Sequence, residues 1–268
     1  MMINIFGNNR SSGPPGPPGP PGKDAFDLIK WAPEAVRRIF RESESVNIYF
    51  NTPTDGIIFK GDKPVGLKNH GREDNAQFIG QDFPKIVRIK RDKYMIELKD
   101  SIFKIGFIQS ATTPPSTAIF VLSFKSLSIS KEPRILFSNE TGTRAISLTD
   151  KNFDGSYAGV LKIYSSGVEE EILFNRQEWA ALLIQYTSIE NRVYCQYILN
   201  ETKGTLDVGI EDTKESSALY IGGHPDKISA HHAVGSFELY YAEGEEYELS
   251  EKMQKCLIQG VLERVDEE

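Results

Sequence analysis

Residues 178–199 read EWAALLIQYTSIENRVYCQYIL, and the alternation of their side chains decides the architecture. In RVYCQYIL the odd positions Val193, Cys195, Tyr197 and Leu199 share one face of an extended chain, and Tyr194, Gln196 and Ile198 share the other, because successive strand residues point to opposite sides. ALLIQY, just upstream, is a run of apolar and aromatic residues of strand length. The same grammar recurs from Val46 onward in VNIYF, GIIF, KIVRIK, YMIEL, SIFKIGFI, AIFVLSF, RILF, AISL, VLKIY, EILF, ALYIGG and SFELYY. Turn-forming pieces such as NTPTDG, TTPPST, NETGT, KNFDGSYAG and NETKG separate these runs, supplying the Gly, Pro, Asn and Asp that tight reversals require. Strands spaced by roughly ten residues, with no helices between them, predict one antiparallel β-sandwich over residues 46–268. Trp179 and Phe237 are expected in or beside its core. Only the end reverts, where YELSEKMQKCLIQGVLERV predicts a helix capped by Ser250.

Ahead of the β region stands GPPGPPGPPG, with Gly13, Gly16, Gly19 and Gly22 in strict register and proline in every slot between. A collagen triple helix needs this period, since only glycine fits its crowded axis and proline holds the polyproline II dihedral. The run spans roughly 30 Å at about 3.1 Å per residue. That is too short to hold three chains by itself, and a stiff spacer is the other reading of the same composition. A trimer would need a neighbouring element. Residues 26–42 supply a candidate, an amphipathic helix whose apolar rows include Leu28 and Ile39. Either one row meets its copies in two further chains or the whole helix docks on its own domain. The organisation expected is therefore a flexible lead (1–12), a collagen-like stalk (13–24), a helical neck that serves as a trimerisation element (25–45) and the sandwich.

The chain has 268 residues, 39% hydrophobic and 26% charged, with a formal net charge of −7. An acidic chain is a poor partner for nucleic acid or an anionic membrane surface, and no apolar run approaches the length of a membrane span. The opening MMINIFGNNRSS shows no basic stretch followed by a long apolar one, so no signal peptide is read. This sits against the extracellular setting usual for collagen-like runs. Cys195 and Cys256 are the two cysteines, too few for a disulfide framework, and Cys195 within an alternating strand reads as a core residue.

Three segments carry a family resemblance in their order: residues 178–199, then SALYIGGHP (217–225), then VGSFELYYAEGEEYELSEKMQKC (234–256). They resemble the laminin-G, thrombospondin N-terminal and pentraxin group of concanavalin-like jelly rolls, with Trp179, Gly222, Gly223, Phe237, Leu249 and Ser250 at matching positions. AIFVLSFKSLSISKEPRILFSN and RAISLTD are similar to that group's early strands, so the likeness covers about residues 105–262. It implies a jelly-roll head of the recognition type. The calcium-binding aspartate of laminin-G domains and the usual terminal cysteine pair have no counterpart here, and the head follows the triplets rather than preceding them as in collagens.

No catalytic constellation stands out. The Glu-x-Asp-x-x-Glu spacing of jelly-roll glycosidases, which sets two carboxylates about the scissile bond, is absent, so a sugar-cleaving reading ranks last. His224, His231 and His232 lie close in sequence, yet adjacent strand residues face opposite ways and do not share a metal. Calcium is the inorganic alternative to no cofactor, because Asp150, Asn152 and Asp154 offer alternating oxygen ligands, although tight turns require the same residues. For a ligand, Tyr157, Asn152, Asp154 and His224 lie near expected turns and combine an aromatic face with hydrogen-bonding groups. The function expected is a non-enzymatic homotrimeric recognition or structural protein that binds glycan or protein. Its setting is extracellular by analogy; the other reading is an attachment fibre of viral or phage type, made and assembled in the cytosol.

Overall fold

A computed structural model describes residues 45–50, 56–70, 74–80, 82–90, 93–99, 101–106, 116–165, 167–189, 192–210, 218–226, 231–243 and 249–265. The lead, the triplet glycines Gly13, Gly16, Gly19 and Gly22, and the neck with Leu28 and Ile39 lie outside the described residues.

From the N-terminus the strands are β1 (Ser45–Phe50), β2 (Ile57–Lys60), β3 (Lys63–Leu67), β4 (Ala76–Gly80), β5 (Lys85–Lys90) and β6 (Lys93–Lys99). There follow β7 (Ser101–Gly106), β8 (Ser116–Ser126), β9 (Arg134–Asn139), β10 (Arg144–Phe153), β11 (Ser156–Ser165) and β12 (Val168–Phe174). The last five are β13 (Ala180–Ile189), β14 (Arg192–Leu199), β15 (Thr202–Ile210), β16 (Ala218–Ile221) and β17 (His231–Glu243), and helix α1 (Glu251–Glu263) closes the chain. They form two antiparallel sheets. One runs β15-β14-β13-β8-β17-β6-β5 with β1 also on β17, and the other runs β12-β11-β10-β9-β16-β7-β4-β3-β2. This is a jelly-roll-like sandwich of the class the alternation predicts.

Between the sheets lies one apolar core. Phe120, Leu122 and Phe124 of β8, Leu182 and Ile184 of β13, and Cys195, Tyr197 and Leu199 of β14 face Phe137, Ile146, Leu148, Leu161 and Phe174 of the second sheet. Aromatic rings interlock across the gap, with Phe120 and Phe137 at 4.9 Å and Phe124 edge-on to Phe174 at 5.3 Å between centroids. Gly159 makes room for the Phe174 ring, because a Cβ there would overlap it. Trp179 sits partly buried just before β13. Phe237 takes a register position on β17 between Leu122 and Phe50.

The first sheet has a second apolar face. Ile119 and Val121 of β8, Ala181 and Leu183 of β13, and Ile198 point away from the sandwich and are covered by Leu249, Leu257, Ile258 and Val261. Strands β8 and β13 are therefore buried on both sides, which is why AIFVL and AALLI read as continuous apolar runs rather than alternating ones. The α1 helix begins at the expected cap, where the Ser250 hydroxyl accepts the Met253 N–H at 3.4 Å.

Two devices complete the sheets. Strand β17 keeps β8 along one edge and divides its other edge between β6, at His231–Val234, and β1, at Phe237–Ala242; a register shift separates the halves. An isolated bridge from Ile48 to Asn69 then ties β1 to the chain beyond β3. On the far side, the Tyr197 hydroxyl crosses Gly204 of β15 and donates to the Glu170 carboxylate of β12, closing one sheet edge on the other. Burial, and then this bond to Glu170, push the Tyr197 hydroxyl above its ordinary range. Burial also pushes the Cys195 thiol up to about 12, so the thiolate is disfavoured and the residue is a core hydrophobe rather than a nucleophile.

A Cβ at Gly204 would overlap the Tyr197 ring and hydroxyl, and a rigid ring held at its far end has nowhere to go. Gly204→Ala is expected to lower stability by about 1–3 kcal/mol, the usual cost of forcing atoms into a packed site, measured by urea denaturation against the parent protein.

Candidate functional site

Because α1 packs across β13, β8 and β17, the surface over β14 and β15 stays open beside it. A groove of about 900 Å³ results, lined by Lys255, Ile258, Gln259 and Leu262 of the helix and by the β14–β15 turn from Ile198 to Lys203, with Leu173 of β12 at its far lip. The four helix positions step by three, one and three, the spacing that places residues along one side of a helix. Leu173 is 59% exposed there.

The turn is held from both ends. Asn200 adopts φ 52°, a left-handed conformation that asparagine tolerates better than most residues. Its N–H donates to the Ala181 carbonyl at 2.8 Å, and its Oδ1 accepts the Ala181 N–H at 2.8 Å. Lys203 Nζ lies 3.3 Å from Glu251 Oε1 at the start of α1, an exposed pair that adds little energy but connects turn and helix. The lining combines aliphatic surface from Ile198, Ile258, Leu262 and Leu173 with two amides, a hydroxyl, two ammonium groups and the Glu201 carboxylate. Apolar walls with a few oriented polar groups suit reversible binding of a small ligand or one chain segment.

The residues expected from sequence lie elsewhere and are not gathered in one place. Asn152 and Tyr157 are register partners in the β10–β11 hairpin. At its tip Asp154 and Gly155 have φ 47° and 88°, as a two-residue Asp-Gly loop of type I′ requires, and Asn152 Oδ1 accepts the Gly155 N–H at 3.0 Å. His224 lies beyond β16, its Nε2 3.2 Å from the Glu140 carbonyl, its Nδ1 accepting the Asp226 N–H at 3.3 Å, and its ring 5.9 Å from Tyr220. Glu140 precedes β10 and Asn152 is its next-to-last residue, so His224 and the hairpin tip stand roughly a strand length, about 30 Å, apart. The expectation of one groove formed by Tyr157, Asn152, Asp154 and His224 is corrected accordingly.

Asp150 also departs from its expected role. Its side chain is fully buried: Oδ2 accepts Arg134 Nη2 at 2.9 Å and the Ser130 N–H at 2.7 Å, and Oδ1 lies 3.0 Å from Arg176 Nε. Two guanidinium groups already neutralise this carboxylate, and a calcium ion there would face both of them, so Asp150 does not fit the expected set with Asn152 and Asp154. Among the described residues no group of three or more His, Cys, Asp or Glu side chains gathers as a metal site. Burial pulls the Arg134 pKa below its ordinary value, opposed by Asp150 and reinforced by Arg176.

Neither groove nor ion cluster was legible as a site beforehand. The groove joins residues near 173, 200 and 258, and Asp150 meets arginines on β9 and in the turn after β12. The single local signal was Asn-Glu-Thr at 200–202, which marks a turn but not what stands opposite it.

No family model matches the chain, and no curated protein matches it. Among solved structures, domain 4 of AbnA, a GH43 extracellular arabinanase from Geobacillus stearothermophilus, in complex with arabinotriose, overlaps 81% of this chain and 100% of its own at 12% identity and TM-score 0.47. The botulinum neurotoxin serotype D binding domain overlaps 83% of this chain and 53% of its own at 12% identity and TM-score 0.49. A botulinum neurotoxin type C structure, described by its dependence on two ganglioside molecules for cell entry, covers 84% and 52% at 12% identity and TM-score 0.48. The chain thus spans about half the length of these toxin domains. These superpositions are loose, and no shared site follows from them.

Removing the carboxylate beside Arg134 and Arg176 leaves the buried Arg134 without its counter-charge. Asp150→Asn is expected to cost about 3–5 kcal/mol, as for a broken buried pair, whereas Asp154→Asn at the exposed hairpin tip should stay within about 0.5 kcal/mol; chemical denaturation of both variants compares them.

Proposed function

We propose that this chain is a non-enzymatic recognition protein whose sandwich head binds an oligosaccharide in the groove beside α1, presented in three copies by the collagen-like stalk. The observation that carries the reading is the lining of that groove. The Asn200 amide nitrogen, the Thr202 hydroxyl and the Gln259 amide offer donors and acceptors of the kinds that sugar hydroxyls need, and the aliphatic surface of Leu262 and the exposed Leu173 gives the C–H face of a pyranose something to pack on. Lys255 adds an ammonium at the rim.

Three-fold display supplies what one shallow site lacks. Sites held on one stalk bind a repetitive surface with an avidity far above that of each alone. The triplet glycines provide the register for such a stalk, and Leu28 and Ile39 provide the apolar contacts to hold the chains together.

The intact chain on a glycan array should bind a restricted set of oligosaccharides. Thr202→Ala with Gln259→Ala should weaken that binding at least tenfold, the equivalent of one to two hydrogen bonds, with unchanged thermal stability. Retained binding in the double variant removes the groove from the account. Light scattering of the intact chain at micromolar concentration should give three times 30.1 kDa; a monomer refutes the display.

A further inference from the structure

At the end of the sandwich where β10 and β12 finish, two arginines face one carboxylate. Side-chain exposure there is 4% for Arg134, 0% for Asp150 and 15% for Arg176. Arg134 is committed on both terminal nitrogens, Nη2 to Asp150 at 2.9 Å and Nη1 to the Ser128 carbonyl at 2.5 Å. Asp150 Oδ2 is shared between Arg134 and the Ser130 N–H, while Oδ1 has an ion-pair contact to Arg176 Nε and no hydrogen bond. Arg176 meets Asp150 as an ion pair, Nε 3.0 Å from Oδ1 without the geometry of a hydrogen bond, and among the described residues it has no other ion-pair partner. The cluster therefore carries one positive charge more than it neutralises, in a place largely withdrawn from water.

A surplus charge in such a place is costly unless an opposite charge joins it. A guanidinium offers its donors as a planar fork that matches the two oxygens of an oxyanion. With Nε held against Asp150, the fork left on Arg176 is the terminal one, and the remaining exposure of this side chain gives it a route to solvent. The backbone beneath is fixed, since Glu178 N–H donates to the Asn175 carbonyl at 3.3 Å and Gln177 N–H to Asn175 Oδ1 at 3.1 Å. We propose that Arg176 binds an oxyanion, the carboxylate or sulfate group of a ligand, with Asp150 and Arg134 as the residues that position it. This inference does not depend on the oligosaccharide reading.

The intact chain tests it by thermal denaturation in sodium sulfate against sodium chloride of equal ionic strength. Sulfate should raise the midpoint saturably, Arg176→Gln should remove at least two thirds of the rise, and Arg176→Lys, with charge but no fork, should retain only part of it. Asp150 keeps Arg134 in these variants, and circular dichroism checks their fold. If they fail to fold, the Nε–Hε resonance of Arg176 in the parent protein decides, shifting with sulfate and not with chloride. A galacturonate trisaccharide and a neutral galactose trisaccharide locate the source of the anion. An effect of the acidic sugar at Arg176 assigns the site to a glycan acid, and an effect of sulfate alone assigns it to a free ion; either upholds the oxyanion. An equal sulfate effect in parent and Arg176→Gln, an unmoved resonance, or an equal effect of the neutral sugar overturns it.

Discussion

Strands β8 and β13 are apolar on both faces, and neither face is left to water. The inner face is satisfied by the second sheet. The outer face, Ile119, Val121, Ala181 and Leu183, needs a separate cover, and α1 is that cover. A 13-residue helix is marginal alone, so packing on this face rather than intrinsic propensity keeps it folded. Each large aliphatic side chain buried there contributes about 1.5–3 kcal/mol as an upper estimate, which outweighs the few tenths available from the exposed Lys203–Glu251 pair. The groove is a consequence. The helix is positioned by β8 and β13, and its outer side therefore stands beside the β14–β15 turn without filling the space above it.

The two long sides of the sandwich are finished differently. On one, β15 and β12 are joined through Tyr197 and Glu170 over a glycine that exists to let the ring pass. On the other, β17 changes partner from β6 to β1, and the register shift at the change absorbs the extra residue. Strand β5 ends its sheet with exposed Lys85, Arg88 and Lys90, a charged edge of the kind that discourages pairing with another chain. The end of the sandwich is closed by charge, with Asp150 drawing in arginines from β9 and from the turn after β12. Hydrophobic burial sets the layers; a few polar contacts decide where they stop.

Much of this was legible in the sequence because strand side chains have a period of two. Cys195, Tyr197 and Leu199 face the core and Ile198 faces the helix, as the alternation in RVYCQYIL requires. Ser250 was legible as a cap for the same local reason. Position 150 was not, although the same rule applies to it: Ile146, Leu148 and Asp150 share one face of β10, so the aspartate points inward with the core residues rather than outward with a loop. Its partners lie 16 and 26 residues away, beyond the reach of any local pattern. The hairpin tip at Asp154 and Gly155 shows the same limit in reverse, since turn chemistry alone accounts for its acidic and amide residues.

Recognition of an oligosaccharide by the head, in the groove made by α1 and the β14–β15 turn, can be followed by hydrogen exchange of the intact chain with and without the best-binding oligosaccharide from an array. Oligosaccharide bound in the groove should give new protection confined to residues 198–203 and 255–262, where ligand contacts would slow local opening. Protection centred on the Asp154 hairpin or on His224, with the groove unchanged, would contradict it.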